Sequence, residues 1–334
     1  RDFPHLRGKP VVVGSPNARG VISAASYEAR VFGVRSAMPS KMALAKCPQL
    51  IFMPHRFSAY QEVSMQIHQI FEQYTDLIEP LSLDEAYLDV SENKLQFPSA
   101  TLLAKDIKRL ILQTTHLTAS AGVSYNKFLA KTASDWNKPN GIYTITPDMA
   151  LDFIAQLPIE KFYGVGQKTA LRMKHHGIHT GADLRKLELY QLIKLFGKSG
   201  SYFFDIARGI DNRQVQPHRD RKSLGAENTF EADLREHHLI EAELNAVVET
   251  LWRRLDQSNY RGRTLTLKVK FADFEQITRS YTQIETINDI AELRQSAADL
   301  LTSVELTKGV RLIGLSVSNA PSSLEAVQLR FKFW

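Results

Sequence analysis

The sequence predicts an α+β chain of several domains, and three observations carry that reading. Apolar positions at helical spacing alternate with short β-rich runs across residues 57–145, short helices separated by glycines follow at 146–208, and residues 222–334 run strand, helix, strand, strand, helix, strand. With 334 residues, 43% hydrophobic and 23% charged, the chain can bury several cores and divides into roughly two to four domains.

Residues 1–56 are punctuated by Pro4, Gly8, Pro10, Gly14, Pro16, Gly20, Gly33, Pro39, Pro48 and Pro54, so only short strands and helices fit there. From Gln61, the positions Val63, Ile67, Ile70, Phe71, Tyr74 and Leu77 keep helical spacing, which predicts a helix that Pro80 stops. An acidic strand is expected immediately after it, in Leu83-Asp84-Glu85-Ala86-Tyr87-Leu88-Asp89. Leu102, Leu103, Ile107, Leu110 and Ile111 predict a helix from about Ser99 to His116, followed by a strand at 118–123. Residues 209–221 are polar and aperiodic and read as a linker. Beyond it, strands are expected at 222–230, 263–271, 275–283 and 310–318, with helices at 238–257 and 289–302. That is the split-βαβ order of ferredoxin-like folds.

Residues 1–221 hold 28 Lys and Arg against 20 Asp and Glu, whereas residues 222–334 hold 14 against 16. The basic excess of the first two thirds points mildly to a polyanionic partner. A single cysteine, Cys47, excludes an internal disulfide and a multi-cysteine zinc site, which fits a reducing cytoplasm. No run approaches the ~18 apolar residues of a membrane span, and the first residues lack a signal-peptide pattern.

Asp84 and Glu85 are adjacent carboxylates in an apolar run. Two Mg²⁺ ions about 4 Å apart stabilise the attacking and leaving oxygens of nucleotidyl transfer, and such hard cations take oxygen ligands. An amphipathic strand with its acids in water is the alternative reading of the same residues. Lys138, in the turn Asn137-Lys138-Pro139-Asn140-Gly141 after a helix holding Lys127 and Lys131, could meet a triphosphate as a point charge, or be a plain surface residue. Tyr27 and Arg30 are three apart and on a helix could clamp a phosphate, or simply stack on each other.

Gly164-Val165-Gly166-Gln167-Lys168 opens a helix that also carries Arg172 and Lys174. Two glycines let backbone amides approach a phosphate at a helix N-terminus, the helix-hairpin-helix pattern of non-specific DNA binders; Gly-x-Gly also occurs in plain tight turns, but the basic residues of the helix favour the phosphate. In the strand after Arg263, Leu265, Leu267, Val269 and Phe271 share one face, and Thr264, Thr266, Lys268 and Lys270 share the other. The basic face could meet phosphates or stand in water. The terminal Gln328-Leu329-Arg330-Phe331-Lys332-Phe333-Trp334 reads as a docking peptide or as a last edge strand.

Taken in order, these segments resemble the Y-family translesion DNA polymerases, most closely the bacterial DNA polymerase IV branch, over essentially the whole chain. Further segments carrying the likeness are Gly20-Val21-Ile22-Ser23, Phe32-Gly33-Val34-Arg35-Ser36-Ala37-Met38-Pro39 and Lys222-Ser223-Leu224-Gly225-Ala226-Glu227. The resemblance implies a multidomain right-hand polymerase: fingers at 1–56, palm at 57–145, a helical thumb with helix-hairpin-helix at 146–208, the linker, and a ferredoxin-like βαββαβ little finger at 222–334. It implies template-directed DNA synthesis across damaged bases, using two Mg²⁺ ions, primer–template DNA and deoxynucleoside triphosphates, by a monomer.

Carried over by position, Asp84 would ligate metal and Glu85 would complete the acidic site. Tyr27, Arg30 and Lys138 would bind the triphosphate with Ser23 close by, while Ala24 stands where the family often has Thr. Gly164 and Gly166 would hold the DNA backbone. Gln328, Leu329 and Phe331 resemble the peptide that docks such polymerases on the sliding clamp. Family members begin with a strand carrying Asp-x-Asp, whereas this sequence starts at Arg1, so a fragment with an unpaired palm-sheet edge is expected. A catalytically deficient DNA- and clamp-binding protein is the alternative function.

Overall fold

The punctuated first segment forms short elements: β1 (Val11–Gly14), β2 (Ile22–Ala25), α1 (Tyr27–Val31), α2 (Ser40–Lys46) and β3 (Ile51–Met53). β1 is the middle strand, antiparallel to β2 and parallel to β3. Val12, Ile22, Ala29, Val34, Ala43, Cys47 and Leu50 close a small core behind it. The computed structural model of the chain describes residues 1–320, in two units. Arg1–His5 and Arg56–Arg219 form one; Leu6–His55 and the chain from Asp220 onward form the other.

In the first unit follow α3 (Phe57–Phe71), β4 (Ile78–Pro80), β5 (Ala86–Leu88), α4 (Ala100–Thr115), β6 (Ala121–Val123), α5 (Lys127–Trp136) and β7 (Ile142–Thr144). α4 lies within the range expected for it, between an N-cap at Ser99 and His116 in the left-handed conformation. α3 corrects the expectation of a helix running to Pro80. It ends at Phe71, and Tyr74 beyond it is buried, its hydroxyl donating to Asp106 at 2.6 Å. Pro80 instead ends strand β4, where it pairs with Ala86. The strands pair two by two, β4 with β5 antiparallel and β6 with β7 parallel.

Five short helices complete this unit: α6 (Pro147–Gln156), α7 (Gln167–His175), α8 (Gly181–Arg185), α9 (Leu189–Phe196) and α10 (Ser199–Ile206). Their core, with Ile154, Leu157, Met173, Leu184 and Leu192 fully buried, also takes in Phe128, Leu129 and Ala133 of α5.

The second unit adds β8 (Ser223–Leu234), α11 (His237–Ser258), β9 (Thr264–Phe271), β10 (Gln276–Thr282), α12 (Ile290–Thr302) and β11 (Val310–Ser318), in the element order read from the sequence. The sheet order is β10-β9-β11-β8, antiparallel throughout, so each helix joins two parallel strands with a third between them. β9 alternates as expected: Leu265, Leu267, Val269 and Phe271 are buried, and the intervening residues half-buried.

That alternation predicts that Leu267→Ala destabilises the protein by about 3 kcal/mol through lost burial and a residual cavity. Thr266→Ala, on the other face, should cost less than about 1 kcal/mol, the worth of its hydrogen bond to Ser280. Urea unfolding of both variants checks the contrast.

Candidate functional site

Asp84 and Glu85 do not lie in a strand, which corrects the expectation. β4 and β5 pair as Ile78 with Leu88, Glu79 with Tyr87 and Pro80 with Ala86, and the two acids occupy the turn between them. The backbone N–H groups of Leu81 and Ser82 donate to the carbonyl of Glu85 at 2.8 and 3.3 Å, closing the turn. Ser82 Oγ donates to Asp84 Oδ1 at 2.7 Å and accepts from the Asp84 N–H at 3.3 Å, which aims the carboxylate. Leu83 is exposed too, so the apolar character of the run does not bury its acids.

Helix α5 faces this hairpin with two lysines one turn apart. Lys131 Nζ donates to Glu85 Oε1 at 2.7 Å. Lys127 is buried: its ammonium donates to Glu79 Oε2 and, at 3.0 Å, to the carbonyl of Gln214, and lies 5.1 Å from the Tyr87 ring centroid. Burial pushes the Glu79 carboxyl up, but Lys127 and the Gln216 N–H, which donates at 2.8 Å, leave it below the usual range. Asp211, with a side chain only 3% exposed, accepts the Phe128 N–H at 2.9 Å near the start of α5 and two bonds from Arg213 at 2.7 and 2.8 Å. Burial raises its carboxyl and the Arg213 bonds more than offset that, for a net lowering.

These contacts were not legible as a site. Glu79, Asp211, Arg213 and Gln216 sit in segments read as a helix end and a linker, yet residues 209–216 are tied down. Gly209 accepts from Tyr125 and Asn126 besides the bonds just given. The only sequence signal was the spacing of Lys127 and Lys131, which puts both on one helical face.

Lys138 follows α5 and pairs with Asp135 at 2.5 Å. In the helical region, Gly164 has φ +88°, a conformation that favours glycine, and a Cβ there would press on Tyr202 at 3.2 Å. Gly166 is the N-cap of α7, and no described atom lies within 4 Å of where its Cβ would stand. The first turn of α7 therefore presents backbone N–H groups beside Lys168 on an open surface.

In the other unit, Ser26 caps α1, and Arg30 lies 5.3 Å from the Tyr27 ring, so the structure brings these two together. Ser23 Oγ and His55 Nε2 share a hydrogen bond of 2.6 Å, a partner the sequence reading missed. Lys268 and Lys270 are both engaged. Lys268 donates to Glu227 at 2.7 Å, and Lys270 sits 5.2 Å from the Phe274 ring. Gln328, Leu329 and Phe331 lie outside the described residues.

For a divalent cation the fit is partial. Asp84 and Glu85 offer carboxylate oxygens, and among the described residues no cluster of three His, Cys, Asp or Glu side chains could hold a metal. Mg²⁺ is commonly held by one or two carboxylates with substrate phosphates and waters completing its shell, so the two acids suit that arrangement. Among the described residues, no helix is long and apolar enough to cross a membrane.

Residues 1–135 match the impB/mucB/samB family, residues 221–331 the C-terminal domain of that family, and residues 160–211 the thumb domain described for DNA polymerase iota. DNA polymerase IV 2 of Agrobacterium fabrum is 54% identical over 327 residues, covering 98% of this chain and 92% of the relative. DNA polymerase IV of Bacteroides fragilis is 54% identical over 320 residues, covering 96% and 88%. Among solved structures, a Y-family DNA polymerase chimera of Dbh and Dpo4 matches with a TM-score of 0.87 at 30% identity, covering 95% of this chain and 93% of that one. With family matches along its length and such relatives, the chain belongs to the Y-family of DNA polymerases, in the branch of bacterial members named DNA polymerase IV, and is a DNA-directed nucleotidyltransferase.

Proposed function

We propose that the chain adds deoxynucleotides to a primer opposite damaged template bases, with two Mg²⁺ ions as cofactors. The observation that carries this reading is the presentation of Asp84 and Glu85 at the tip of a turn, one aimed by Ser82 and the other by Lys131. Asp84 would ligate metal and Glu85 would share in holding it through the oxygen that Lys131 leaves open. When bound, the ions would stabilise the attacking and leaving oxygens. Lys138 offers a cation for the triphosphate of the incoming nucleotide, and Tyr27, Arg30 and Ser23 form a phosphate-binding surface of their own.

Primer–template DNA and deoxynucleoside triphosphates are the proposed partners, in keeping with the ternary complexes solved for the related Dbh polymerase. Gly164, Gly166 and Lys168 would hold a DNA phosphate at the start of α7. Lys268 and Lys270 would meet the backbone from β9, exchanging present partners for phosphates. Docking on a sliding clamp through Gln328, Leu329 and Phe331, in a monomer, rests on the sequence alone.

The test is Mg²⁺-dependent primer extension. Loss of a metal ligand that stabilises the transition state by about 4 kcal/mol should slow Asp84→Ala by about a thousandfold. DNA binding should stay within about threefold of wild type. Undiminished extension by Asp84→Ala would overturn the assignment, and binding without extension by the unaltered chain would favour a DNA-gripping protein that does not catalyse. Separately, Lys168→Ala should weaken DNA binding alike across sequences and reduce the salt slope of log K by about 1, as read by a titration over salt concentration.

A further inference from the structure

A ladder of three residue pairs does not hold itself in water, since isolated two-stranded hairpins are marginal. The β4–β5 hairpin carries the two acids, so something outside it must fix its base. The ammonium of Lys127 reaches the Glu79 carboxylate of one strand, packs over the Tyr87 ring of the other, and donates to the Gln214 carbonyl. Glu79 and Tyr87 are cross-strand partners, so this one cation grips both strands at the same register. The Gln216 N–H closes on the same Glu79 oxygen, and buried Asp211 ties the segment to the start of α5 through Phe128.

We propose that residues 211–216 act as a strap that clamps the base of the acidic hairpin through Lys127 and Glu79, which makes Lys127 a positioning residue for Asp84 and Glu85. The inference rests on the polymerase reading for its catalytic consequence, but not for its structural one. Lys127 is at the N-terminus of α5 and Lys131 one turn later, so the same rigid helix sets both the base of the hairpin and the carboxylate at its tip. Loss of the Lys127 cation would leave Glu79 without its cation and free the base to shift. A shift of about 1 Å in a reacting group is enough to slow chemistry severely.

The test uses the full chain and two variants. Lys127→Met keeps the stem and removes the charge; Gln216→Pro removes one N–H and leaves every hydrogen-bonding partner of Lys127 in place. Hydrogen exchange across residues 78–88 should speed up by about tenfold in Lys127→Met and by about threefold in Gln216→Pro, while residues 264–271 keep wild-type protection. The maximal rate of nucleotide addition should fall by about tenfold in Lys127→Met, with DNA affinity within about twofold of wild type and Lys127→Arg recovering part of the rate. Unchanged exchange at 78–88 in both variants would overturn the proposal, as would a rate that falls only in step with DNA affinity. If Lys127→Met fails to fold, the exchange of Gln216→Pro decides. Should the unaltered chain extend no primer at all, the polymerase reading fails while the exchange result still judges the strap.

Discussion

The ion pair between buried Lys127 and half-buried Glu79 is the constraint around which the first unit is arranged. Charges leave water at a cost of several kcal/mol each, and a pair this enclosed persists only where further hydrogen bonds satisfy both partners. Here they do, because Lys127 also has the Gln214 carbonyl and Glu79 also has the Gln216 N–H. Removing one partner of a fully buried pair typically costs about 3–5 kcal/mol, and less where, as here, the carboxylate keeps part of its contact with water. Helix α5 thus meets two opposite demands. Phe128, Leu129 and Ala133 are fully buried in the core of the short helices, while Lys127 and Lys131 point their charge at a hairpin of acids.

The second unit treats its cations differently. Lys268 pairs with Glu227 across the sheet, and Lys270 and Arg311 both approach Phe274. Exposed pairs of this kind contribute about 0–1 kcal/mol, so a phosphate can replace the carboxylate at little cost. The buried strands beneath them keep the face in shape: Leu265, Leu267 and Val269 are almost wholly enclosed, whatever the lysines on the opposite side bind.

Periodicity made residues 223–318 legible. The four strands and two helices there lie close to where alternation and helical spacing put them, because one large core dictates one buried face per element. The short elements of the first unit defeated the same reading. A helix was expected to run to Pro80, but it ends at Phe71, and three-residue strands are too short to show any period. The adjacency of Asp84 and Glu85 was plain in the sequence, yet their position in a turn depends on Ser82 and on a backbone bond from Leu81. The tie between Glu79, Lys127 and residues 211–216 spans 48 and 87 positions, and no local pattern records contacts of that range.

If Asp84 and Glu85 hold metal as proposed, a turn suits them better than the interior of a strand would. In a strand, successive side chains point to opposite faces, so adjacent acids could not readily serve one site. At the tip of the turn Asp84 is exposed and Glu85 half-exposed, and Ser82 and Lys131 set the directions of the two carboxylates. Lys131 has a second consequence: it compensates Glu85 when no cation is near, so the two adjacent negative charges do not drive the turn open. On the proposed function, an arriving cation would compete with one ammonium for one carboxylate oxygen, with Asp84 and the other oxygen of Glu85 still to offer. On the proposed function, cation affinity would then depend on Lys131, a residue that ligates nothing itself.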